Sequence, residues 1–467
     1  MSKDSSNEQD PQDPELSDDA LFQKDADEVY RELLGRIGEA NPQPRLAPTR
    51  RVVELLGDPQ RAYPIIHITG TNGKTSTSRI TESILRAYGL RTGLLTSPHL
   101  VRVNERIVID GEPISNEALV ANYRDIEPYL EMVDVELAAM GEAPLTFFEA
   151  FTALAFASFA DAPVDVAVIE VGLGGEWDST NVGDGVVAVF TPISLDHMAR
   201  LGNTVAQIAA TKSGIIKPAS AVVTSAQPET ALAELERAAE LSESTMAVQG
   251  AAFDVLSNTV AVGGQVIAVR GLAATYEDLF LPLFGDHQAQ NAAVAIAAVE
   301  SFLGGGTQAL VGDVLAEGIA TATSPGRLQV IGVDPTVIID AAHNPDGAQS
   351  LARAIISYFT FDEVLFVIGV LGDKDARGIV DALAPVASRF FVTASSSDRA
   401  VPVEEFADVV RERAGDERTF EFDSLSEAIA SAREWAEAAP RRAVVVTGSI
   451  TLIGDALVLA DREGWKR

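Results

Sequence analysis

The chain has no cysteine, only five histidines, 6% aromatic residues, and 35 lysines and arginines against 68 aspartates and glutamates in 467 residues. Without cysteine there can be no disulfide, thiolate metal site or cysteine nucleophile. The shortage of cations leaves a formal charge of −33, a field that opposes binding to nucleic acid or anionic lipid. Any anionic ligand must therefore be held by local cations or by a metal. No apolar run approaches a membrane span: the longest, Ala150 to Ala160, is bounded by Glu149 and Asp161 and falls short of the roughly 20 residues required. The first twenty residues hold seven acids, one lysine and a single large aliphatic side chain, Leu16, unlike a signal or transit peptide. Residues 1–20 are expected to form a disordered acidic tail on a cytoplasmic protein. The remainder, with 47% apolar and 22% charged residues overall, has the composition of a soluble chain of two or three domains.

Against this background one segment stands out. The apolar run from Tyr63 to Ile68 leads into Thr69-Gly70-Thr71-Asn72-Gly73-Lys74-Thr75. A strand, a glycine turn and a helix start in that order make a phosphate cradle: backbone N–H groups crowd the oxygens, the lysine neutralises charge and the threonine hydroxyl reaches a magnesium ion. Only Thr71 and Asn72 separate Gly70 from Gly73, two residues fewer than in the usual P-loop. A strand-turn-helix with a chance Gly-Lys pair is the plainer alternative, and the order of the elements argues against it.

The periodicity predicts an amphipathic helix over 20–39, a proline-broken loop over 41–48, and a helix over 75–88 stopped by Gly89. Strands are expected at 92–96, 164–171 and 186–192 with a helix over 146–159, an alternation that implies a largely parallel sheet flanked by helices. Residues 251–284 read instead as an antiparallel hairpin around Gly263-Gly264. After the linker Thr323-Ser324-Pro325-Gly326 a second α/β run begins. Its strands are expected at 337–339, 364–370, 390–393 and 443–446, and its helices at 345–358, 375–386, 402–413 and 425–437. The fold class is thus α/β: a P-loop-type ATPase domain over 21–323 with a mostly parallel sheet, and a smaller doubly wound, Rossmann-like C-terminal domain over 324–467.

Several chemical residues fall at expected strand ends. Ser97 follows the strand ending at Thr96, and Glu170 closes the strand 164–171, as an ATPase sheet delivers a carboxylate to magnesium. All five histidines, His67, His99, His197, His287 and His343, lie in or beside loops; a lone histidine is more often structural than catalytic, but the repeated placement favours function for some. Lys212, in Thr211-Lys212-Ser213-Gly214, reads equally well as a solvated helix-end lysine.

In order along the chain stand G-T-N-G-K-T, S-P-H, E-V-G-L-G-G-x-x-D-S-T-N, L-D-H-x-x-x-L-G, K-S-G-I-I-K, S-P-G-R, D-A-A-H-N-P and L-G-D-K-D. Over roughly residues 25–455 this order resembles the folylpolyglutamate synthases, including the bacterial bifunctional form that is also a dihydrofolate synthase, within the Mur-ligase-like superfamily. The resemblance implies an ATP- and Mg2+-dependent ligase that couples a pteroate or folate carboxylate to L-glutamate. It implies that Asn72, Gly73, Lys74, Thr75, Asn291, Arg327 and Asp340 bind ATP, and that Ser97, Glu170 and His197 bind magnesium together with Lys212, the lysine carbamylated in this family. Thr146, Phe147, Phe148, Glu149, Trp177, Asp178 and Ser179 match the segments lining the pterin pocket. Lys74, His197, Lys212 and His343 are the expected catalytic set, with His343 near the phosphates and the incoming glutamate. Glu176 stands where the family has arginine and Thr211 where it has glutamate, departures that bear on pterin contacts and on carbamylation respectively.

A muramyl ligase is the nearest rival, but it carries a further N-terminal domain for a UDP-sugar, and only 68 residues precede the loop here. A regulatory GTPase would show Asn-Lys-x-Asp, and no asparagine in the chain precedes a lysine. A catalytically silent nucleotide-binding protein is the third alternative. A monomer using only small-molecule substrates is expected.

Overall fold

The computed structural model describes residues 18–38 and 43–465. Most of the expected acidic tail lies outside the described residues, and residues 18–20 belong to a helical turn, Asp18–Leu21.

Eight strands make the first sheet, in the order Glu112–Pro113, Ile107–Ile109, Thr92–Leu95, Val166–Glu170, Ile65–Thr69, Gly185–Phe190, Ala221–Thr224 and Thr245–Val248. All pairings from Thr92–Leu95 to Thr245–Val248 are parallel, and the two edge strands before them are antiparallel. The central strands are buried on both faces, as their unbroken apolar runs require. Ile66, Ile68, Val166, Val168, Val187 and Val189 face the helices Lys74–Ala87, Asp286–Gly304 and Gly312–Ala320, while the alternate residues Ile65, Ala167 and Ile169 face Phe147–Asp161 and its neighbours.

Residues 251–284 contain three antiparallel strands rather than a two-stranded hairpin: Asp254–Ala261, Gly264–Arg270 and Thr275–Leu281. Buried Glu300 anchors them, accepting hydrogen bonds from the Leu272 and Ala273 amides and the Tyr276 hydroxyl.

The last sheet has six strands in the order Gln329–Val333, Thr336–Ile339, Arg442–Thr447, Glu363–Ile368, Arg389–Val392 and Thr419–Glu421; only the first pairing is antiparallel. Phe366 and Ile338 pack toward the helices Pro345–Tyr358, Ala376–Leu383 and Val403–Ala414, and Leu365, Val337 and Ile339 toward Leu425–Glu437 and Ile450–Arg462. Helices on both faces make this the doubly wound arrangement expected.

Two contacts fix the six-stranded unit against the first. The helix Pro345–Tyr358 is held at both ends: Asn344, its N-cap, exchanges hydrogen bonds with Asn72, and the Tyr358 hydroxyl lies 2.7 Å from both Asp286 Oδ1 and Asn258 Nδ2. The helix Ile450–Arg462 approaches so closely that a Cβ on Gly454 would stand 2.1 Å from the Leu100 carbonyl oxygen, three residues beyond Ser97. Gly454→Ala is expected to push these elements apart at a cost of about 1–3 kcal/mol, measured as a lowered urea midpoint. An unchanged midpoint would show that the approach is slack.

Candidate active site

The site is built around the turn that follows Ile65–Thr69. Gly70 and Gly73 both have positive φ, 153° and 89°, and a Cβ on Gly70 would stand 1.9 Å from Thr191 Oγ1, one on Gly73 2.6 Å from Asn291 Oδ1. Glycine is required for this proximity as well as for the turn. The helix begins at Lys74, so its free N-terminal amides face the loop. Lys74 folds back, donating to the carbonyls of Gly70 (3.2 Å) and Thr71 (3.1 Å). Lys212, 4% exposed, donates to the same Gly70 carbonyl at 2.8 Å. Burial, and then the charge of Lys74, lower the Lys212 pKa from 10.5 to about 7. It is therefore no solvated lysine.

Thr75 Oγ1 donates to Glu170 Oε1 at 3.0 Å, and the Ser97 amide approaches Glu170 Oε2 at 3.4 Å. Burial raises the Glu170 pKa, and the charge of Lys74 and the Thr75 hydrogen bond oppose it. Among the described residues no three His, Cys, Asp or Glu side chains group as a metal site. Of the four residues expected to hold metal, Ser97 and Glu170 meet directly. Lys212 is joined to the phosphate loop, and His197 faces the six-stranded unit with Nε2 3.4 Å from Lys374 Nζ.

The far wall belongs to the six-stranded unit. Lys374 Nζ donates to Asp196 Oδ1 at 3.1 Å, and His197 Nε2 and His343 Nε2 each lie 3.9 Å from Asp196 Oδ2. Burial disfavours the Asp196 anion, yet the surrounding cations outweigh it and hold the carboxyl well below its ordinary range. His343 Nδ1 lies 2.8 Å from the Ala341 carbonyl, which can only accept, so this nitrogen carries the proton and Nε2 keeps its lone pair. Burial and Lys374 lower the His343 pKa to about 4. Buried Asp340 accepts from the Leu328 and Ala342 amides, both at 2.9 Å, and the charge of Arg327 opposes the rise in its pKa that burial causes.

These groups line one cavity of about 850 Å³ together with Asn72, Asn291, Thr146, Phe148, Glu149, Trp177, Asp178 and Ser179. Phe147, alone of the expected residues, does not line it. Its ring is buried, stacked on Phe151 with centroids 5.7 Å apart and covered by the Arg106 guanidinium, because the first turn of Phe147–Asp161 points it into the core. Thr146 and Glu149 close a reciprocal cap at the start of that helix, and Arg45 forks onto the Glu149 carboxylate. The Thr-x-x-Glu spacing of such a cap is readable in the sequence. Asp178 is likewise structural in part, accepting from Leu173 N, Thr180 N and Thr180 Oγ1. Glu176 is exposed and outside the cavity wall, so its reversed charge falls on the solvent side. Thr211 Oγ1 donates to the Gln207 carbonyl at 3.3 Å.

The Asp196–Lys374 pair was not among the residues singled out from sequence. Both stand inside motifs, Leu195-Asp196-His197 and Gly372-Asp373-Lys374, but no local signal tells that side chains 178 positions apart will meet.

Comparison with known proteins defines the class. Residues 68–299 match the Mur ligase middle domain and residues 326–450 the Mur ligase glutamate ligase domain. Over 91% of its length the chain is 45% identical to the dihydrofolate synthase/folylpolyglutamate synthase of Mycobacterium tuberculosis, spanning 92% of that protein. It is 32% identical to the Escherichia coli dihydrofolate synthase/folylpolyglutamate synthase over 89% of its length and 91% of that protein. The crystal structure of Mycobacterium tuberculosis folylpolyglutamate synthase complexed with ADP and AMPPCP superposes with a TM-score of 0.90 at 44% identity, covering 94% of this chain and 99% of that one. The chain belongs to the folylpolyglutamate synthase and dihydrofolate synthase family of Mur-type ligases.

The buried Lys212 ammonium carries a testable signature. Its burial penalty is full below the folded-state value of about 7 and fades as pH approaches 10.5, where the unfolded chain also loses the proton. Lys212→Met is expected to raise the melting temperature most below pH 7 and progressively less toward 10.5. A difference independent of pH would contradict this environment.

Proposed function

We propose that the chain is an ATP-dependent carboxylate–amine ligase that couples L-glutamate to dihydropteroate and to reduced folates. The observation that carries this reading is the lining of one cleft of about 850 Å³. Lys74 and Lys212, the aromatic side chains Phe148 and Trp177, and Lys374, His343 and Arg327 of the six-stranded unit all border it. A planar aromatic acid, a nucleoside triphosphate and an amino acid can meet there.

A carboxylate is a poor electrophile, so one of its oxygens first attacks the ATP γ-phosphorus and ADP leaves, giving an acyl phosphate. The glutamate amine then attacks the activated carbonyl carbon, loses a proton, and inorganic phosphate departs. Phosphoryl transfer of this kind needs alignment and charge neutralisation more than covalent help. Lys74 and the amides of residues 73–75 hold the phosphates; Asn291, beside Gly73, orients the nucleotide from the same wall, and Arg327 and Asp340 from the other. The unprotonated His343 Nε2 accepts a hydrogen bond from the incoming amine, and Lys374 faces the glutamate carboxylates. The Thr75 hydroxyl and Glu170 carboxylate are hard oxygen donors side by side, a set that fits Mg2+. Thr75, Ser97 and Glu170 would hold the ion, with His197 and Lys212 completing its surroundings. When bound it neutralises charge on the phosphoryl oxygens.

The lowered Lys212 pKa supports carbamylation, because a neutral amine can add to CO2, releasing a proton and leaving an anionic carbamate. Among the described residues no helix is long and apolar enough to cross a membrane, and the reading places the enzyme in the cytoplasm.

ADP release is expected to require L-glutamate, Mg2+ and either dihydropteroate or tetrahydrofolate, and to stop with excess EDTA. Arg327→Ala is expected to lower kcat by about a hundredfold. Release of ADP that ignores glutamate would overturn the ligase assignment, and ADP binding without any turnover would favour a silent nucleotide-binding protein.

A further inference from the structure

Arg79 lies one turn beyond Thr75 on the helix Lys74–Ala87 and has no place in the site described so far. Among the described residues it makes no hydrogen bond or ion pair, and its Nε is fully buried without a partner. Other arginines pushed into the first unit are matched: Arg45 forks onto Glu149, and Arg106 donates to His99 Nδ1 at 2.8 Å. The carboxylates nearest Arg79 in charge, Glu170, Glu105 and Glu82, are all engaged elsewhere. Glu105 accepts from the amides of Leu100, Val101 and Arg102, Glu82 from Thr92 Oγ1 and Arg86 Nε, and Glu170 from Thr75 and Ser97.

The guanidinium borders a second cavity of about 30 Å³, large enough for a water. Thr75, Ser97 and Arg327 line both this cavity and the large cleft, so the wall between Arg79 and the cleft is the group that surrounds Glu170 and the phosphate loop. An unpaired buried guanidinium costs stability, and replacing it by an apolar side chain of similar length ought to stabilise the fold. A charge retained at that cost, directly behind a polyphosphate site in a chain of net charge −33, calls for a role in binding anions.

We propose that Arg79 is a positioning residue of the phosphate site: standing behind the loop, it balances the buried Glu170 carboxylate so that the charge of Lys74 remains available to the polyphosphate. Burial disfavours both cations, and Glu170 is the opposing charge that acts most on each, so each relieves the other of part of its pull. Loss of Arg79 removes one of the cations that face Glu170, leaves more of that charge to Lys74 and Arg327, and weakens the attraction for phosphate oxygens, more for a triphosphate than for a diphosphate.

The inference rests on the nucleotide reading above, and binding separates the two. Calorimetry of the full chain with AMPPCP and with ADP in Mg2+ buffer is compared for the wild type, Arg79→Met and Arg79→Lys, alongside melting temperatures. For Arg79→Met the expectation is an equal or higher melting temperature, AMPPCP affinity lower by about tenfold and a smaller loss for ADP. Raising the ionic strength should narrow the AMPPCP difference, and Arg79→Lys should restore most of the affinity. A Met variant that melts lower or fails to fold would show Arg79 to be structural and overturn the proposal. So would unchanged AMPPCP affinity, or a Lys variant as weak as Met. A wild-type chain that binds neither nucleotide would overturn the nucleotide reading itself.

Discussion

Two ammonium groups, from Lys74 and Lys212, converge on the single carbonyl oxygen of Gly70. Much else in the molecule follows from that convergence. Burial, and then the repulsion between like charges this close, depress the Lys212 pKa. The arrangement is tolerable because Glu170 and Asp196 stand nearby, and it is useful because an anion entering the cleft finds cations already in place. Gly70 can serve as the meeting point only without a side chain, since Thr191 of the neighbouring strand end fills the space a Cβ would take. The order of the first sheet, with Ile65–Thr69 between Val166–Glu170 and Gly185–Phe190, therefore decides where the lysines, Glu170 and Asp196 come to lie.

A second consequence concerns how the two units meet. Asp196 and Lys374 come from opposite walls and are both largely buried, with side-chain exposures of 12% and 8%, so each is left uncompensated if the units part. Asn72 and Asn344 make a neutral contact of the same kind beside them. At the far end of the helix Pro345–Tyr358, the Tyr358 hydroxyl ties the six-stranded unit to Asp286, which opens the helix that carries Asn291. One helix thus spans from the phosphate loop to the base of a nucleotide-side helix.

What could be read from the sequence divides along physical lines. The phosphate loop, Glu170 at its strand end and the helices 345–358 and 425–437 were legible because their signals are local: glycine spacing, an apolar run ending in an acid, a clean helical period. The strands Glu112–Pro113 and Thr419–Glu421 were not, because two or three residues at a sheet edge carry no period to detect. Phe147 was placed with its motif, but packing into the core, which no motif encodes, directs its ring away from the cleft. Glu176 drew attention by its charge, and only the turn that exposes it shows that the charge faces solvent. Asp196 with Lys374, and the isolation of Arg79, depend on which residues are neighbours in space.

The central claim is that this crowded set of cations exists to move the γ-phosphoryl group of ATP onto a substrate carboxylate before the amine attacks. The most direct test uses dihydropteroate labelled with ¹⁸O in both carboxylate oxygens, turned over with ATP and L-glutamate, and mass analysis of the inorganic phosphate formed. The account predicts one ¹⁸O atom transferred to each phosphate. Phosphate free of label, with amide product still formed, would contradict it.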